Sequence, residues 1–173
     1  MTNQVNIAGQ LYPASGLTLP DRGFRDDWLA PDADGIVLIN WDSALPKYKT
    51  DMKTKVDSDA ETYRLNFITA GDGMAMTYRE KFEQAKSANA AGQVEVDALY
   101  AATGIATYPT LAASVGIEAA TIWDVAQLVI GKAEAWADLS YLIEKSRLSG
   151  KAAIDAATTD VEVRAAYDAV TWG

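Results

Sequence analysis

Apolar and polar positions change their rhythm along this chain, and the change marks where strands give way to helices. Near the start, Val5 and Ile7 alternate with polar neighbours, the period of a half-buried strand. Trp28 and Leu29 lead into Pro31-Asp32-Ala33-Asp34-Gly35, and the β-rich run Ile36 to Trp41 follows. Asp-Gly between two apolar segments signals a hairpin, because both residues tolerate positive φ. Pro13, Pro20 and Pro31, with Gly9, Gly16, Gly23 and Gly35, interrupt any helix over residues 1–45. From Pro46 the spacing becomes helical. Tyr48, Met52, Val56, Ala60, Tyr63 and Phe67 fall on one face, and Pro46 suits a first helical turn, where its missing N–H is not needed. Met74, Tyr78, Phe82 and Ala85 resume the face beyond Gly71-Asp72-Gly73. Paired glycines weaken a helix by roughly 1 kcal/mol each, so two helices meeting at a joint are expected there, with a single kinked helix as the alternative.

Val94 to Tyr100 reads as a short helix, and so does Tyr108 to Val115, with Pro109 in its first turn and Gly116 as its stop. Thr121 to Ala157 then reads as one nearly unbroken amphipathic helix, opened by Thr121 with Asp124 as capping partner. Its seam runs Ile122, Ala126, Val129, Ala133, Trp136, Ser140, Ile143, Arg147, Gly150 and Ile154, in alternating steps of four and three. That spacing is heptad-like. A second stripe of Val125, Leu128, Ala135, Leu139 and Leu142 widens the face. Thr159-Asp160-Val161-Glu162 is a capping box for a last helix carrying Val163, Ala166, Tyr167 and Val170.

Uninterrupted, the long helix would run roughly 55 Å, or about 43 Å if Gly150 ends it, against a domain diameter of about 40 Å for a chain of this size. Its apolar flank is therefore expected to pack on another rod or another protein, with Ile122, Val129, Trp136 and Ile143 as an oligomer seam. Trp136→Ala would cost about 3–5 kcal/mol if that side chain is fully enclosed. The fold class follows: mainly α, with a small N-terminal β-hairpin module over residues 1–45 and an elongated helical bundle with one long helix over residues 46–173.

The net charge of −9 and sequence pI near 4.4 disfavour nucleic-acid binding, which needs clustered Lys and Arg, and docking on an anionic membrane. The chain has neither Cys nor His, which removes disulfides, zinc-finger ligand sets and any Ser-His or Cys-His catalytic pair. Met1 to Ile7 has no basic and apolar signal segments, and Val125 to Ile130 is too short to span a bilayer, so a soluble product is expected.

Asp32-Ala33-Asp34-Gly35 opens like a calcium loop, but Ser43 stands where its last acidic ligand belongs, so a turn is the better reading. Asp26-Asp27 and Asp57, Asp59 and Glu61 read as solvated charge, since acid–base work needs carboxylates in contrasting cleft environments. Gly71-Asp72-Gly73 lacks the remainder of a phosphate loop. No catalytic residue, metal ligand or cofactor is expected. For Trp28 and Trp41, beside a hairpin too small to bury both its faces, partner docking and core packing stay open as alternatives.

The run Leu19-Pro20-Asp21-Arg22-Gly23-Phe24-Arg25-Asp26-Asp27-Trp28 resembles the LPxDRxFRxAW opening of short accessory proteins from tailed bacteriophages and related gene-transfer particles, associated with tail fibres or the distal tail. Also similar are the strand Val37 to Asp42, the following helix with Lys47, Lys49, Lys53 and Lys55, the section Tyr108 to Gly116 and the Trp-Gly end. The opening here is one residue shorter, and Met74 to Ala91 and Val94 to Tyr100 have no counterpart. The resemblance implies a structural, non-enzymatic tail-tip or tail-fibre component, located in the virion tail and in the host cytoplasm during assembly. Its partners would be other tail or fibre proteins and further copies of itself. The alternative is a tail-fibre assembly chaperone absent from the mature particle. Phe24, Arg25, Trp28 and Trp41 become candidate partner-binding residues.

Overall fold

The alternation around residues 4–13 and 28–39 produces four short strands: β1 (Gln4–Ile7), β2 (Gln10–Pro13), β3 (Trp28–Pro31) and β4 (Ile36–Ile39). The computed structural model describes residues 4–7, 10–13, 24, 26–31, 33, 36–68, 71–103 and 107–172. The strands form one sheet in the order β2-β1-β4-β3. β1 and β2 pair antiparallel, with Val5 opposite Tyr12. β3 and β4 form the expected second hairpin, Trp28 opposite Ile39, with an irregularity before Pro31. The parallel pairing of β1 with β4, Val5 beside Val37, joins the two hairpins. The period of two shows in β4, where Val37 and Ile39 are buried and Leu38 is exposed.

The remaining elements are helices, so the chain is mainly α behind its N-terminal hairpins: α1 (Trp41–Arg64), α2 (Asp72–Ala91), α3 (Gln93–Thr103), α4 (Pro109–Ala112), α5 (Ile122–Ala156) and α6 (Asp160–Asp168). Trp41, expected at the end of a strand, is the first residue of α1. Backbone N–H groups of Ser43 and Ala44 already bond the Asn40 carbonyl. Pro46 consequently lies inside the helix, one turn later than expected. Ala44, Tyr48, Met52, Val56 and Ala60 form its buried stripe. α1 and α2 are separate helices. Gly71 at their joint has φ 127, a conformation closed to residues with a Cβ.

α5 begins where the cap was read: the Asp124 N–H donates to Thr121 Oγ1 at 3.1 Å, and that hydroxyl donates to the Asp124 carboxylate at 3.0 Å. Thr159 and Glu162 make the reciprocal capping box of α6.

The chain divides into two compact units, residues 1–63 with 142–173 and residues 64–141, instead of separating at residue 45. The buried residues of β4 share a core with helices. In the first unit Phe24, Val37 and Ile39 pack with Tyr48, Met52 and Val56 of α1, Ile154 of α5 and Val163 of α6. In the second unit Ala85 and Ala88 of α2 pack with Val96, Leu111 and the α5 residues Ile122, Val125 and Ala126. The long helix contributes its first part to one core and its last part to the other.

Candidate functional site

The aromatic residues expected to dock a partner turn inward where they are described. Phe24 is completely buried, its ring 5.6 Å from those of both Trp41 and Tyr48, and Trp41 lies 5.4 Å from Tyr48. Trp28 is half-buried against the same cluster. Arg25 lies outside the described residues. The reason is the start of α1: once Trp41 becomes helical, Tyr48 two turns later gives Phe24 a surface of its own chain to cover. Phe24 is thus a core residue, and Trp28 and Trp41 pack on that core.

The α5 seam is also occupied within the chain at both ends. Ile122 and Ala126 are buried in the second unit, and Ile143, Gly150 and Ile154 in the first. Val129 and Trp136 are only half-buried. The expectation that the whole stripe needs another rod is therefore too broad, because α1 and α6 cover the Ile154 end and α2 to α4 the Ile122 end.

Val129 and Trp136 instead line a cleft of about 470 Å³ in the second unit. α5 supplies Val129, Lys132, Ala133 and Trp136; α2 supplies Tyr78, Lys81 and Phe82; the segment after α1 supplies Phe67 and Ile68; and Glu118 closes the set. The two helices explain the opening. Toward the end of α2, Ala85 and Ala88 share a core with Ile122, Val125 and Ala126 at the start of α5. Toward its beginning, bulky Tyr78 and Phe82 face Trp136 across open space. Phe67, read as the last residue of the α1 face, lies past the helix end and is 52% exposed.

One ionic cluster borders this cleft. Lys81, its side chain only 13% exposed, donates to Ser114 Oγ at 2.6 Å and to Glu118 Oε1 at 3.0 Å. Lys132 stands 3.8 Å from the other Glu118 oxygen and is 65% exposed. The Lys81 hydrogen bond, against a smaller opposing effect of burial, holds the Glu118 carboxyl below its ordinary range. The arrangement can grip an apolar side chain among aromatic rings and offer Lys132 to an acidic neighbour. The sequence pattern places Tyr78 and Phe82 on the apolar face that resumes beyond the glycine joint and does not single out Ile68. The glycine joint was the available signal, since a break there strands the apolar residues on either side of it.

Two of the carboxylates read as solvated, Asp57 and Asp59, are engaged. In the first unit Asp57 receives Arg147 and Lys151, each at 2.6 Å, and Asp59 accepts the Tyr167 hydroxyl at 2.6 Å. The Lys151 hydrogen bond, then that of Arg147, lowers the Asp57 pKa. These contacts fasten α1 to α5 and α6. Among the described residues no cluster of three metal-ligating side chains occurs, and no helix is long and apolar enough to cross a membrane. Comparison with known proteins finds no matching family model, no matching curated protein and no matching solved structure.

Proposed function

We propose that this chain is a non-enzymatic assembly component of a bacteriophage tail, at the tip or the fibre, acting through protein–protein contacts. The setting comes from the resemblance of residues 19–28, 37–42 and 108–116 to tail-associated accessory proteins. The mode of action rests on one observation, the open aromatic cleft formed by Phe67, Ile68, Tyr78, Phe82 and Trp136. Aromatic side chains left at a concave surface are what protein interfaces use as anchors.

Mass spectrometry of purified particles of the encoding phage tests the reading. A tail component is present at a fixed stoichiometry to other tail proteins. If the chain is missing from particles and its co-expression raises the solubility of the fibre protein, it is the assembly chaperone. If it is missing and fibres form equally well without it, both readings fail.

A further inference from the structure

We infer that the cleft of the second unit receives an amphipathic helix from a partner protein, apolar on the inserted face and acidic along its edges. This inference rests on the assembly reading and specifies its partner. The shape argues first: Tyr78 and Phe82 on α2 face Val129 and Trp136 on α5 across the opening. A groove between two helices is filled by a third that presents apolar residues at helical spacing.

The exposed area argues next. Leu65, Phe67, Ile68, Met74, Met76 and Tyr78 are 38–70% exposed within one short stretch of sequence. Of these, Phe67, Ile68 and Tyr78 line the cleft itself, so apolar surface is left open at its mouth.

Charge selects the partner's edges. The chain carries −9 overall, yet the described lining of the cleft holds two cations, Lys81 and Lys132, and one carboxylate, Glu118. Lys81 is held by Ser114 and Glu118, which leaves Lys132, 65% exposed, as the cation turned to solvent at the cleft. Glu80, the next acidic residue along α2, accepts a hydrogen bond from Gln84 at 2.8 Å. An apolar patch with a basic margin on an acidic protein favours an acidic partner and turns away a basic one.

The test uses the full chain and two synthetic helical peptides. Both carry Leu and Phe at i, i+4 and i+7; one has Glu along its edges, and its twin has Lys. Fluorescence polarisation is expected to show the Glu peptide binding about tenfold more tightly than the twin, with the difference shrinking as salt rises. Tyr78→Glu, at an exposed helix position, should weaken the Glu peptide at least tenfold, and Lys132→Glu should narrow the gap between the peptides. Circular dichroism verifies that both variants remain folded. Equal binding of the twins, indifference to both substitutions, or binding of neither peptide would overturn the inference. Recovery of the chain from phage particles alongside any of those results would leave the tail reading standing and remove only this one.

Discussion

The Tyr167 hydroxyl donates to Asp59 at 2.6 Å while Lys55 Nζ lies 4.7 Å from the ring centroid, so one side chain of α6 meets two residues of α1. Burial first, and then the Asp59 carboxylate, pushes its pKa up to about 12 from 10.0. In that window the folded chain keeps a proton that the unfolded chain loses, so stability falls as pH rises from about 10 to 12. Tyr167→Phe should cost about 1 kcal/mol at neutral pH, as a typical lost hydrogen bond does, and should flatten the alkaline decline. Urea titrations at several pH values measure both. Asp57 and Asp59 looked like solvated charge in the sequence because their partners, Arg147 and Tyr167, lie 90 and 108 residues away. Nothing local announces such a pair.

Two glycines of α5 look alike in sequence and differ in surroundings. A Cβ built on Gly150 would stand 2.5 Å from Val170 Cγ2, whereas around Gly131 nothing lies within 4 Å. Gly150 therefore lets the segment after α6 lie against α5, while Trp172 stacks on Tyr63 of α1 with centroids 6.4 Å apart. Gly150→Ala should lose about 1–3 kcal/mol through overpacking, despite a better helix residue. Gly131→Ala should gain roughly 0.5–1 kcal/mol from propensity alone. Thermal melts of the pair give opposite shifts if the contact is as described. The seam divides similarly: Trp136, half-buried at the cleft, should cost less on truncation to Ala than the roughly 3–5 kcal/mol of a fully enclosed Trp. Helix positions and caps were readable because they depend on neighbours three or four residues apart. Whether a glycine faces solvent or another element does not.

At the level of the whole chain, each unit contains a carboxylate stabilised in its charged form, Asp57 in one and Glu118 in the other. Their lowered pKa values add stability that is complete above the ordinary 3.8 and 4.5 and disappears as pH falls through the folded values. With no histidine to titrate, stability should stay nearly level from neutral pH down to about 5 and drop below about 4. Urea midpoints in about 0.15 M salt, where long-range repulsion is screened, measure this; a drop already between pH 7 and 6 would contradict it. The helices apart from the start of α1, the joint at Gly71, the caps of α5 and α6 and the buried stripe of α1 were encoded locally, in periodicity and in the conformational limits of single residues, whereas β2 and the helical state of Trp41 were not. The inward turn of Phe24, the union of β1 with β4, the sharing of α5 between two cores and the cleft at Trp136 arose from contacts between distant segments. Those contacts depend on which apolar surfaces remain uncovered once the elements pack, and one-dimensional spacing carries no record of that competition.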